Sequence, residues 1–383
     1  MIANQRHLFD VPRDVAYFNC AASTPLLKQA MAAGQAGIVR KTRPWTIGAE
    51  HTVEAVERAR ALVGVAIDAD AGDIALVPSA AYGLATAVGA IPLERGREAL
   101  VLEDEFPALV YALRAKTRAC GAALRIVPRP ADGDWTPAVL AAIGPATGLV
   151  GLCQVNWLDG AMLDLGVIAA ACRRVGAALV LDQSQAFGIV PFSAKAIDPD
   201  FAVGVGEKWL FGPYGISYLY VARRWQDAAP LEQGWASRVH GLDPDHLLDY
   251  DDHYAAGARR FDTDERFNYM LLPQALAGLQ QVAAWGGPAT IAAALKRTIE
   301  SIAARAAALG LTATPAAVRA PHIVGLRGGT RPLPVGLGAS LARRGVYASV
   351  RAGIVRVAPH LHNDERDIEA LFAALAEALK QAA

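Results

Sequence analysis

The pattern of this chain predicts an α/β fold with a mostly parallel sheet, on three observations. Between residues 74 and 221 short apolar runs alternate with longer helical stretches, and such β-α-β alternation lays helices on both faces of a parallel sheet. Ala178-Leu-Val-Leu-Asp182 reads as an apolar strand ending in an acid, and Phe201-Ala-Val-Gly-Val205 as the next strand. With 383 residues, 53% hydrophobic and 19% charged, the chain is compact and long enough for two lobes, each with its own core.

The elements follow in order. Tyr17-Phe-Asn-Cys-Ala-Ala-Ser-Thr-Pro25 precedes a helical stretch from Leu26 to about Arg40, where Pro25 suits a helix start and Ser23 or Thr24 a cap. Ile74-Ala-Leu-Val77 is a short strand, followed by a turn of small residues and an alanine-rich helix to Ala90. Small side chains at a helix N-terminus open its free N–H groups to a phosphate, although a tight strand-to-helix turn has the same look. Ala99-Leu-Val-Leu102 is again a strand, with a helix from Ala108 to Cys120, and Phe106 between them also suits ordinary core. Gly148 to Asn156 is a strand whose last residue is of a type that often caps a turn, and a helix from Val167 to Val175 comes after it. Strand Ile216 to Val221 closes this large lobe.

Between Glu232 and Asp264 the composition turns to Gly, Asp and Tyr, which marks a crossover and hinge. Residues 271–309 read as two helices broken at Gly286-Gly-Pro288. His322 to Arg327, a helix from Val335 to Arg344 and strands at Val346–Val350 and Ile354–Val357 suggest a small α+β lobe. A final helix from Asp364 to Leu379 carries a core-facing stripe at Ile368, Leu371, Leu375 and Leu379.

Composition narrows the function. Net charge is zero and no basic run with interleaved aromatics occurs, which argues against nucleic acid as a partner. The stretch Leu76 to Leu93 is interrupted by Pro78, Ser79, Tyr82 and Pro92, so no membrane association is expected. Met1 to His7 lacks the pattern of a signal peptide, and Cys20, Cys120, Cys153 and Cys172 lie far apart without a CxxC pair; both fit the cytoplasm. His360 and His362 have no third ligand pattern near them, so no metal is expected, and no P-loop or dinucleotide fingerprint is present.

Lys208 is the residue around which the chain is organised. It sits between the apolar run 201–205 and Trp209-Leu-Phe211, before a Gly-Pro turn. Desolvation disfavours an ammonium, so a buried lysine becomes a usable amine; the alternative is a stem laid on the core with its charge in water. Asp182, at a strand end about two dozen residues upstream, completes the layout of a pyridoxal phosphate site: the lysine forms a Schiff base and the acid keeps the pyridine nitrogen protonated.

Asp182-x-x-Gln185 and Lys208-Trp-Leu-x-Gly-Pro-Tyr-Gly215 resemble the class V aminotransferase group of fold-type I pyridoxal phosphate enzymes, which includes cysteine desulfurases, kynureninases and isopenicillin N epimerase-like proteins. The resemblance implies a large lobe with a mostly parallel seven-stranded sheet, over residues 21–234. It implies a small lobe built from 1–20 and 235–383. It also implies a homodimer with shared sites. Ser79, Ala80 and Ala81 would cradle the cofactor phosphate, with Ala81 where the family often has threonine. Phe106, in Glu-Phe-Pro107, would stack on the ring. Asn156 would lie near the ring hydroxyl or the substrate carboxylate, and Gln185 would bond the ring hydroxyl. Trp235 and Asn268 would serve the neighbouring subunit's cofactor site. Arg356, seven residues before Asn363, matches the arginine that holds the substrate α-carboxylate, with a salt bridge to a nearby acid as its alternative and Arg351 as a second candidate.

The family pattern departs at Val205 and Glu207, where desulfurases have serine and histidine; Glu207 either points away or acts on substrate. No cysteine follows Cys172, which argues against a desulfurase, and Glu207 argues against kynureninase. The expected activity is therefore on an amino acid at Cα, by transamination or epimerisation. A β- or γ-eliminating lyase and a non-catalytic binding protein are the alternatives.

Overall fold

The computed structural model describes residues 2–381. Its centre is a sheet of seven strands: β1 (Ile74–Val77), β2 (Glu98–Leu102), β3 (Ala123–Val127), β4 (Thr147–Cys153), β5 (Ala178–Asp182), β6 (Phe201–Val205) and β7 (Ser217–Val221). The spatial order is β1-β7-β6-β5-β4-β2-β3, parallel throughout except that β7 runs antiparallel to both neighbours.

Both faces of this sheet are dry. Ile74, Leu76, Leu179 and Leu181 pack into one cluster, while Ala75, Val77, Val180 and Val203 pack into another. Hence the strands read as unbroken apolar runs rather than as alternating ones. The edge strand β3 is the exception, with Ala123, Arg125 and Ile126 exposed.

Helices α1 (Lys28–Lys41) and α2 (Val53–Ile67) precede the sheet, and α3 (Ala80–Ala90), α4 (Pro107–Cys120), α5 (Trp135–Ala142) and α6 (Leu165–Val175) connect its strands. Helix α7 (Leu272–Ala284) returns to pack Leu272, Ala275 and Leu279 into a cluster of the large sheet, and α8 (Gly287–Ala307) follows. The second sheet is antiparallel, in the order β10-β11-β9-β8, from β8 (Leu311–Ala313), β9 (Val324–Gly328), β10 (Ser349–Arg351) and β11 (Ile354–Val357). Ile299 and Ile302 of α8, with Leu371 and Leu375 of α9 (Glu365–Gln381), cover it.

Two local expectations are corrected. The helix expected over Val335–Arg344 spans only Leu337–Ala342, because Gly336 has φ +77° and cannot start it. The strand expected over Val346–Val350 is split: Val346–Tyr347 pairs parallel with Ala16–Tyr17, and Ser349–Arg351 joins the second sheet.

The crossover is tied to the sheet by a buried ion cluster. Asp262 accepts from Arg60 through both oxygens, pairs with Arg266 at 3.0 Å and accepts from the Leu76 N–H at 2.8 Å. The Thr263 N–H donates to the Leu76 carbonyl at 2.9 Å. This anchors the strand that leads into α3.

Candidate active site

The site forms at the carboxyl ends of β4, β5 and β6, where ligands bind in open α/β sheets. Beyond β6 the chain closes a tight loop: the Gly206 N–H donates to the Ile216 carbonyl at 3.1 Å, and the Gly212 N–H to the Gly206 carbonyl at 2.8 Å. A side chain on Gly206 would overlap the Ile216 carbonyl oxygen. The Thr24 hydroxyl donates to the carbonyls of Glu207 and Lys208. Phe211 takes φ +55°, a conformation strained for a bulky residue, and is gripped by Phe9, Trp285 and His360 with ring centroids 5.7, 5.3 and 4.7 Å away. The backbone carrying Lys208 is thus held at several points.

Lys208 points its Nζ to 5.6 Å from the centre of the Phe106 ring and makes no ion pair among the described residues. Burial lowers its pKa; the charges of Asp182 and Glu207 oppose that shift, and those of Arg356 and Arg351 add to it.

Lys208, Phe106, Gln185, Ser79, Ala80, Ala81 and Arg356 line one cavity of about 490 Å³. Ser79 caps α3, its Oγ accepting from the Tyr82 N–H at 3.2 Å, and its carbonyl takes the Gly83 N–H. The N–H groups of Ala80 and Ala81 are left without a partner among the described residues, at the positive end of the helix dipole. Gly83 lets α3 sit low on the sheet, since a Cβ there would come within 3.0 Å of Val203.

Asp182 lies in a narrow recess continuous with this site, shared with Lys208, Gln185 and Phe106. It accepts from the Ser184 N–H at 2.9 Å. Gln185 is fixed at both ends, accepting from the Trp209 indole at 2.9 Å and donating to the Ala21 carbonyl at 2.9 Å, which leaves one amide hydrogen uncommitted.

Arg356 is 4% exposed, yet no acid pairs with it among the described residues. Its guanidinium donates to the Trp157 carbonyl at 2.7 Å and to the Asn19 side chain at 3.4 Å, while Nε has no partner. Burial, then the charge of Arg351, lowers its pKa to about 10, so it remains cationic at neutral pH. The salt bridge that sequence offered as its alternative is absent among the described residues.

Three candidates lie off the cavity wall. Asn156 is fully buried, its Oδ1 accepting from the Leu158 N–H at 2.9 Å and its Nδ2 unpartnered; the neighbouring Trp157 lines the cavity instead. Trp235 borders a separate surface hollow with Arg238 and Tyr250. Asn268 turns the chain into α7, accepting from the N–H groups of Met270 and Leu271 at 3.1 and 3.0 Å. Glu207 lines the cavity beside Lys208, and burial raises its pKa.

Sequence reasoning passed over Glu105, Trp157, Ser184 and Tyr214, all beside singled-out residues. Glu105 is 5% exposed and accepts from the N–H groups of Phe106 and Cys153 at 2.8 and 3.0 Å. Burial, then the charge of Asp182, pushes its carboxyl up to about 7. Ser184 carries a buried hydroxyl without a partner.

The profile of the aminotransferase class V family matches residues 16–262. An uncharacterized aminotransferase, YcbU, of Bacillus subtilis is 24% identical over 337 residues, covering 83% of this chain and 82% of that protein. Kynureninase of Deinococcus radiodurans is 28% identical over 272 residues, 68% of this chain and 64% of its own. The solved structure of a C-DES mutant with glycine covalently linked to its PLP cofactor superposes with a TM-score of 0.87 at 23% identity, over 97% of this chain and 99% of that one. With the family matched over well over half of its length and the fold shared end to end, the chain belongs to the aminotransferase class V family, whose cofactor is pyridoxal phosphate.

Proposed function

We propose that this protein is a pyridoxal phosphate enzyme that acts at Cα of an amino acid, by transamination or epimerisation. One observation supports the reading best: a desolvated lysine amine and a buried guanidinium without an acid partner face one cavity.

The residues present fit the cofactor. The orphaned hydroxyl of Ser184 and the bare N–H groups of Ala80 and Ala81 are unmet polar groups of the kind that a ligand satisfies. On this reading Ser79, Ala80 and Ala81 would hold the phosphate, Phe106 would cover the ring, Asp182 would pair with the pyridine nitrogen, and Gln185 would bond the ring hydroxyl, whereas Asn156 is buried off the cavity wall. When bound, the cofactor supplies an electron sink for negative charge at Cα. Arg356 orients the amino acid by its carboxylate through two parallel hydrogen bonds. The Lys208 amine, its proton affinity lowered by burial, would take the Cα proton and return it, with Glu207 lining the same cavity.

A second copy of the chain completes the proposal, with Trp235 and Asn268 serving the partner's site. Trp45, Leu248 and Tyr250 are 80, 78 and 81% exposed, large apolar side chains that a second copy would be able to cover. The lack of cysteine after Cys172 weighs against sulfur transfer through a persulfide of the enzyme's own.

The test is a visible-absorption titration of the purified holoenzyme with a panel of amino acids, with products identified by mass. A pyridoxamine-like spectrum with release of a keto acid establishes transamination, and inversion at Cα establishes epimerisation. Release of ammonia or sulfide makes the protein a lyase, and a spectrum indifferent to every amino acid contradicts the proposal.

A further inference from the structure

The hairpin of β10 and β11 carries a second arginine to the cavity. Its register pairs Ser349 with Arg356 and Arg351 with Ile354, so Arg351 and Arg356 project from the same face as diagonal neighbours. Both line the cavity. The turn between them, Ala352-Gly353, has φ +47° and +71°; a left-handed alanine is unfavourable, and two such residues fix a two-residue hairpin and with it the place of Arg351. Trp157 organises both side chains: its ring lies 5.9 Å from the Arg351 guanidinium, and its carbonyl accepts from Arg356.

Neither arginine has an acid. Arg351 makes no side-chain hydrogen bond or ion pair among the described residues, and its charge bears on Arg356. Among the residues lining the cavity the one acid is Glu207, next to Lys208. A ligand with one carboxylate would satisfy Arg356 and leave the other cation facing the same space. A ligand with two would satisfy both.

We propose that Arg351 receives a second carboxylate, on the substrate's side chain, so that the enzyme takes dicarboxylic amino acids in preference to neutral ones. This rests on the reading of Arg356 as the holder of the α-carboxylate.

The test is a spectral titration of the holoenzyme with L-aspartate, L-glutamate, L-asparagine and L-glutamine, repeated with Arg351→Gln and Arg351→Lys. Calorimetric binding of succinate and of butyrate gives a readout independent of turnover. The acids bind about tenfold or more tightly than their amides, the difference made by one charge-assisted pair at the cavity mouth. Arg351→Gln brings the affinities for acids and amides to within about twofold of each other, Arg351→Lys keeps part of the gap, and succinate outbinds butyrate only when Arg351 is present. Equal binding of acids and amides, or an Arg351→Gln effect shared by both, overturns this inference and leaves the proposed function standing. If no amino acid of either kind perturbs the spectrum, the proposed function falls and this inference with it.

Discussion

Arg356 shows what a single residue discloses and what it withholds. An arginine in an apolar strand must meet a partner; spacing alone favoured a protein acid, and only the family resemblance pointed to a ligand carboxylate. The structure supplies no acid, only the Trp157 carbonyl and the Asn19 side chain. Truncating one half of a buried charge pair costs roughly 2–5 kcal/mol of binding. Arg356→Ala is accordingly expected to weaken amino-acid affinity by about that much in a spectral titration. Because no ion pair within the chain is broken, its unfolding free energy in urea should stay within about 1 kcal/mol of the parent. Glu207 was less legible: its type and place were visible, but its direction depends on a loop closed by Gly206, Gly212 and Thr24, three residues spread over the chain.

At the scale of elements, the central strands were readable because burial on both faces writes them as apolar runs between turn residues. Elements without that signature were missed. Strand Ala123–Val127 lies at the sheet edge with Arg125 exposed, and helix Val53–Ile67 is rich in charge, with Arg60 paired internally to Asp262. The Lys208 loop makes the sharpest prediction at this scale. Gly206 is needed for close approach to the Ile216 carbonyl, so Gly206→Ala must shift the backbone that carries the lysine. Overpacking of this kind costs about 1–3 kcal/mol. The variant should show that loss in urea unfolding and should also lose cofactor on gel filtration; a stable variant that retains cofactor would show the loop to be slack.

For the whole molecule, the class of fold was legible and the strand order was not. Alternation says that strands are parallel, but not which of seven is central, because that depends on contacts far apart in sequence. The same holds for three buried histidines, His322 from one segment and His360 and His362 from another: the His322 ring lies 4.5 Å from that of Trp209, and the His360 ring 4.7 Å from that of Phe211. Burial holds His322 at about 3 and His362 at about 4, and burial with the charges of His362 and His322 holds His360 well below the usual imidazole range. A histidine whose folded pKa is depressed contributes stability that is present above its unfolded value of 6.5 and lost as pH falls towards the folded value, since the unfolded chain takes the proton first. Glu105 acts in the opposite sense: its pKa is raised to about 7, so the stability it contributes at low pH fades as pH rises through that value. Glu207 and Asp367, also raised by burial, act in the same sense as Glu105, but the three histidines shift further in total, and the thermal midpoint should fall as pH drops from about 6.5 to about 4. An unchanged midpoint across that window would mean that the histidines are hydrated.

The most direct test of the central claim is to reduce the holoenzyme with borohydride, digest it and locate the pyridoxyl group by mass spectrometry. The label is expected on the peptide that contains Lys208, and Lys208→Ala should abolish both the label and the long-wavelength absorbance of the bound cofactor. A label on another lysine, such as the exposed Lys195, or full labelling of the Lys208→Ala variant, would contradict the account.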